Sequence, residues 1–114
     1  MGHQVVHYEI RAEDPNAARA FYRELFGWTF PPAPEPGYTY VESGESGAIP
    51  GGIGQADGPG LVTFFVGVDD VAATLATVGK MGGKTVRPAT SVPGVTFGLF
   101  SDPEGHVIGV AKSE

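Results

Sequence analysis

The sequence holds no cysteine, which excludes a disulfide scaffold and thiolate chemistry. Positive charge is sparse as well: seven Lys and Arg stand against thirteen Asp and Glu, a formal net charge of −6. The basic residues form no run, so no surface is expected for the phosphates of a nucleic acid. No apolar stretch approaches the roughly 20 residues that a transmembrane helix requires. The opening Met-Gly-His-Gln lacks the basic and apolar regions of a signal peptide. The expectations are therefore no nucleic-acid partner, no membrane partner and a cytoplasmic location.

What the chain has in abundance is glycine, with 18 residues, and proline, with 10. They fall between periodic segments rather than in low-complexity tracts, which predicts many short turns. The length of 114 residues and a hydrophobic share of 41% fit one domain with its own core.

Residues 5–10 read as a strand, with Val5, His7 and Glu9 on one face and Val6, Tyr8 and Ile10 on the other. Asp14-Pro15 reads as a helix start, an N-cap followed by proline at the first helical position. Ala18, Phe21, Tyr22 and Leu25 then recur at helical spacing as one apolar stripe, and Gly27 ends it. A strand at 28–30, a proline-rich loop at 31–37, a short strand at 38–42 and a glycine-loaded strand at 48–55 follow.

After a linker at 56–60 the pattern begins again. Residues 61–68 read as a strand and Asp69-Asp70 as a helix cap, with Val71, Leu75 and Val78 as the buried stripe and Met81 closing it. Gly82-Gly83 ends the helix. Strands are expected at 84–87, 95–100 and 107–111, with a loop at 88–94. The last two strands flank Asp102-Pro103-Glu104-Gly105, the residue chemistry of a tight turn. Without a gap, His7 aligns with Thr63, Asp14 with Asp70, Leu25 with Met81, Gly27 with Gly83 and Phe30 with Val86. Each half reads strand, helix, three strands. One half is too small to bury both faces of its sheet, so two βαβββ modules, about 4–55 and 61–112, are expected to share a concave sheet.

These modules, the segment from Ala20 through Gly27 to Trp28, Gly67-Val68-Asp69-Asp70 and Asp102-Pro103-Glu104-Gly105 together resemble the vicinal oxygen chelate superfamily. That is the group of glyoxalase I, bleomycin resistance proteins, fosfomycin resistance enzymes and extradiol dioxygenases. The resemblance implies an α+β fold in which the sheet curls into a cup with helices outside, and a homodimer. It also implies a divalent metal held by four inward side chains, acting on an oxygen-bearing substrate. Of the four ligand positions, only His7 carries a ligand. The strand at 49–55 offers no acid, Thr63 stands at the second histidine position and Gly109 at the final carboxylate.

His7 and Glu9 share a strand face and are expected to hydrogen-bond each other and line a polar patch. His106, at the turn, is the nearest third candidate for a metal. Trp28, Tyr40, Thr63, Phe65, Phe97 and Gly109 are the remaining candidates for the ligand-binding wall, with Tyr38 and Leu99 as further wall residues. Plain core packing is the alternative for each aromatic. Gly51-Gly52-Ile53-Gly54 is no phosphate loop, since no Lys-Ser/Thr and no helix follows. Asp69-Asp70 and Glu13-Asp14 are helix-start features rather than metal pairs.

The reading that follows is a glyoxalase/bleomycin-resistance-like protein that binds a small molecule in the cup without the usual metal, and no cofactor is expected. Whether it is an enzyme stays open. The alternative is a lyase, isomerase or dioxygenase using a noncognate metal or metal-free proton transfer around His7 and Glu9. A third reading is a fold kept for partner binding, its cup filled by side chains.

Overall fold

A computed structural model describes residues 2–113; Met1, part of the opening segment read above, lies outside them. Among the described residues there are seven strands and two helices, in the order β1 (Val5–Ala12), α1 (Pro15–Phe26), β2 (Thr39–Val41), β3 (Gly51–Gln55), β4 (Leu61–Gly67), α2 (Val71–Lys80), β5 (Lys84–Val92), β6 (Val95–Ser101) and β7 (Val107–Ser113). The chain divides into two units, one spanning His7–Val62 and the other joining the residues up to Val6 to those from Thr63 onward.

In the first unit β3 lies between β1 and β2, parallel to β1 and antiparallel to β2. In the second, β7 lies between β4 and β6, parallel to β4 and antiparallel to β6, and β5 forms the edge. Each module thus returns its last strand parallel to its first, the pairing that the internal repeat requires. The fold is of the mixed α+β class, as expected.

Both helices begin as the sequence predicts. Asp14 accepts the Ala17 N–H at 3.1 Å and Asp70 accepts the Ala73 N–H at 2.9 Å, each closing an otherwise unpaired first-turn donor. Gly27, at φ 72°, ends α1 by donating to the Arg23 carbonyl. In the second unit, Val71 and Leu75 bury one face of α2 against Val110, with Val68 and Phe100 around them. Each such side chain contributes about 1.5–3 kcal/mol by leaving water.

Four local expectations are corrected. Residues 28–30 form no strand; Thr29 instead exchanges two backbone hydrogen bonds with Glu42, because the prolines that follow supply no donors to extend a ladder. The loop expected at 88–94 is largely strand, since β5 runs through Pro88. It does so at a sheet edge, with a register shift between Arg87 and Thr90, where a missing N–H costs no ladder bond. Met81 does not close the α2 stripe: it caps the helix and is 73% exposed. On α1, Phe21 and Leu25 are exposed, at 61% and 58%, while Ala18, Arg19 and Tyr22 form the partly covered face.

Candidate functional site

Strand alternation carries His7, Glu9 and Arg11 onto one face of β1. Glu9 pairs in parallel register with Gly52 of β3. A side chain at position 52 would run into the Tyr38 hydroxyl and ring, so the bare backbone of Gly52 is what lets Tyr38 lie across the strand beside Glu9. Tyr38 itself is delivered by the turn that ends the proline-rich loop, immediately before β2.

The side chains of this face have defined partners. His7 Nε2 lies 2.8 Å from the Tyr38 hydroxyl. Arg11 Nη2 donates to Glu9 Oε1 at 3.0 Å. Its Nη1 lies 3.6 Å from Glu35 Oε2 and donates to the Gln55 carbonyl at 3.3 Å. The guanidinium also stands over the Tyr38 ring, 5.0 Å from its centre, within range of a cation–π attraction. His7 thus pairs with Tyr38 and Glu9 with Arg11, partners that sequence reading did not assign to them.

Burial decides the charge states. It pushes the Tyr38 phenol well above its usual range, and the charge of Glu9 and a hydrogen bond to its carboxylate push further. Desolvation pulls the His7 imidazole below its ordinary 6.5, outweighing the attraction of Glu9, while Arg11 adds to the fall. For Arg11, burial opposes the charge, but the hydrogen bond and charge of Glu9, with Glu35 behind them, more than offset it. An ionised carboxylate only accepts, and a phenol has one proton to give. If the Tyr38 proton goes to Glu9, its oxygen accepts from His7 Nε2–H; if it goes to His7, Nε2 is the acceptor, so the direction of the 2.8 Å bond follows the His7 tautomer.

Of the other predicted wall residues, Tyr40 joins this group, its ring edge-on to Tyr38 at 6.4 Å between centres. Trp28 does not. It packs with Tyr8, Tyr22 and Phe26 at 6.5, 5.5 and 5.1 Å, and Tyr8 alternates to the opposite face of β1 from Glu9. Thr63, Phe65, Phe97 and Gly109 lie in the second unit. There the Thr63 hydroxyl donates to the Val107 carbonyl at 2.7 Å. Phe65 pairs with Gly109 in register, and its ring fills the space that a side chain at 109 would need. Phe97 meets Phe65 edge-on at 6.2 Å. These contacts tie the four to one another and to β7 within the second unit. His106 is taken up by its own turn, Nδ1 lying 2.9 Å from Asp102 Oδ2.

Among the described residues no three His, Asp or Glu side chains converge as a metal cage. No described helix is long and apolar enough to cross a membrane. Arg11 was within reach of the sequence, two residues beyond Glu9 on the same face. Glu35 and the role of Tyr38 were not, since both arrive from a loop.

The family profile described as the Glyoxalase/Bleomycin resistance protein/Dioxygenase superfamily matches residues 4–110. The chain belongs to this superfamily. It is 33% identical over 114 residues to a glyoxylase-like domain-containing protein of Didymella fabae, covering 90% of this chain and 88% of that one. It is 32% identical over 111 residues to a Mycobacterium tuberculosis protein carrying the provisional name glyoxylase CFP32, covering 90% of this chain but 42% of the relative. The chain therefore spans less than half of that mycobacterial protein. Among solved structures, a superfamily member from Vibrio splendidus superposes with a TM-score of 0.64 at 16% identity, covering 98% of this chain and all of the other. A Streptomyces coelicolor methylmalonyl-CoA epimerase variant, in complex with 2-nitronate-propionyl-CoA, superposes at 0.60 with 18% identity, covering 96% of this chain and 94% of that one. Both likenesses concern the fold.

Proposed function

We propose that this superfamily member binds a small molecule at the His7–Glu9–Tyr38 face of its first unit without a divalent metal. The observation that carries the reading is the Arg11 guanidinium, 3.0 Å from Glu9 and 3.6 Å from Glu35. It brings a fixed positive charge to the carboxylates that a metal would need, and His7 Nε2 is turned toward the Tyr38 hydroxyl. Divalent ions in protein sites call for three or more unencumbered donors, so the donor set present does not fit one. Gly52 supplies no donor to this face either, and Tyr38 occupies the space beside it.

Charge favours a cationic organic ligand. Residues 7–62 hold eight Asp and Glu against three Arg and no Lys. Arg11 is paired with Glu9, Arg19 is bonded to Thr39, and Arg23 stacks over Phe30. The Tyr40 ring beside Tyr38, in a unit of net negative charge, suits an ammonium or guanidinium group. A thermal-shift screen of chelator-treated protein against aromatic and aliphatic amines tests this. Concentration-dependent stabilisation that weakens in Tyr38→Phe and Tyr40→Ala supports the reading. Amines that leave the melting temperature unchanged while carboxylates raise it would overturn the charge assignment.

A second reading is metal-free proton transfer. The neutral His7 hydrogen-bonded to Tyr38 favours it, and proteins named glyoxylase and epimerase stand among the similar chains. Uptake of solvent deuterium at a carbon next to a carbonyl of a bound compound separates catalysis from binding. A second copy of this chain is the proposed partner, with Phe21, Leu25 and Phe26 exposed on α1 as its apolar contact. A cytoplasmic role accords with a cysteine-free sequence.

A further inference from the structure

Arg19 of α1 makes four hydrogen bonds, and three of them surround the attachment of one side chain. Its Nε donates to Thr39 Oγ1 at 2.8 Å, and its Nη2 to the carbonyls of Gly37 at 2.9 Å and Ile53 at 3.1 Å. The fourth, from Nη1 to Asn16 Oδ1 at 3.0 Å, fixes the guanidinium plane against its own helix. Gly37 and Thr39 are the two neighbours of Tyr38. Ile53, fully buried, lies on β3 and faces Thr39 across the ladder. The planar fork therefore grips the chain on both sides of Tyr38 and ties it to the strand over which the Tyr38 ring lies.

We propose that Arg19 is the positioning residue for the Tyr38 hydroxyl, holding it between His7 and Glu9 through the residues on either side of Tyr38. The proposal rests on the reading of the Tyr38 face as the ligand site. Tyr38 needs such a grip because it enters from a loop rich in proline and glycine. Its backbone is anchored there by loop bonds alone, Tyr38 N–H to the Glu35 carbonyl at 3.2 Å and Ala33 N–H to the Tyr38 carbonyl at 3.1 Å. A hydroxyl that must sit 2.8 Å from an imidazole tolerates little drift of its backbone, since hydrogen bonds weaken steeply with misalignment. Lysine cannot replace the fork: its donors radiate from one atom and cannot span three acceptors in a plane.

The test is the exchange of the Tyr38 hydroxyl proton with water, followed by NMR and identified by its loss in Tyr38→Phe. In Arg19→Met and Arg19→Lys the exchange is expected to quicken at least about tenfold, as the hydroxyl samples open states, while unfolding stays cooperative. Failure of the charge-retaining Arg19→Lys to restore slow exchange marks geometry, not charge, as the cause. Exchange unchanged from the wild type in a folded Arg19 variant would overturn the proposal, leaving Arg19 a backbone tie only. Should neither variant fold, Thr39→Val removes the Nε acceptor alone. Faster exchange there supports the role and unchanged exchange contradicts it. No ligand is added, so the result is readable even where the ligand-site reading fails.

Discussion

Arg11 and Glu9 stand two residues apart on one strand, and their side chains meet at 3.0 Å with 22% and 7% of their surfaces exposed. Truncating one partner leaves the other charge stranded in a desolvated place. Arg11→Met is expected to cost about 2–3 kcal/mol, at the low end for a broken buried pair because Arg11 keeps some contact with water. The Glu9→Gln/Arg11→Met double variant is expected to lose less than the two single variants together. Denaturant unfolding of the four proteins checks both statements.

Phe65 and Gly109 are partners across the β4–β7 ladder, and the ring occupies the side-chain position of 109. Gly109→Ala overpacks that contact and is expected to destabilise by about 1–3 kcal/mol. Combining it with Phe65→Ala removes the clash, so the double variant is less destabilised than the sum. Thermal melts of the three variants decide it. Equal losses with and without Phe65 would show that the ring is not what keeps position 109 bare.

Two side chains on α2 and its cap separate core from surface. Leu75 is buried against Val71 and Val110, so Leu75→Ala is expected to cost about 2–5 kcal/mol. Met81→Ala, at a site 73% exposed, is expected to stay within about 0.5 kcal/mol of the wild type. Urea unfolding of the pair measures the contrast.

The site also sets a pH dependence at both ends. The folded His7 binds its proton more weakly than an ordinary imidazole. As pH falls through 6.5 the unfolded chain takes up a proton that the folded chain does not, and stability declines until the folded imidazole titrates too. Tyr38 acts in the opposite range. Its folded phenol keeps its proton above the ordinary value of 10.0, so stability falls as pH rises beyond that value. In Tyr38→Phe the alkaline loss assigned to this group is expected to disappear; its persistence would assign that loss elsewhere.

Much of this is legible in the amino-acid sequence alone. The repeat, both helix caps and the turn at Asp102 rest on local chemistry that a linear sequence carries in full. Asp102 Oδ1 does accept from Glu104 and His106 N–H. Alternation likewise carries Arg11 onto the face of His7 and Glu9. What escaped depends on distant partners. Tyr38 lies 31 residues from His7, and no spacing rule links them. The β5 path through Pro88 depends on its place at a sheet edge, which is a property of the sheet rather than of the segment. Phe21 and Leu25 keep helical spacing but face away from the covered side of α1, because Arg19 and Tyr22 take the positions toward β2 and Trp28.

The measurement closest to the centre is a calorimetric titration of chelator-treated protein with Zn, Ni, Mn and Fe(II), paired with elemental analysis of protein as isolated. With Arg11 holding Glu9, substoichiometric metal and no saturable heat are predicted, in the wild type and in His7→Ala alike. Near-stoichiometric metal that disappears in His7→Ala or Glu9→Ala would contradict the metal-independent site and return the protein to the chelate chemistry of its superfamily.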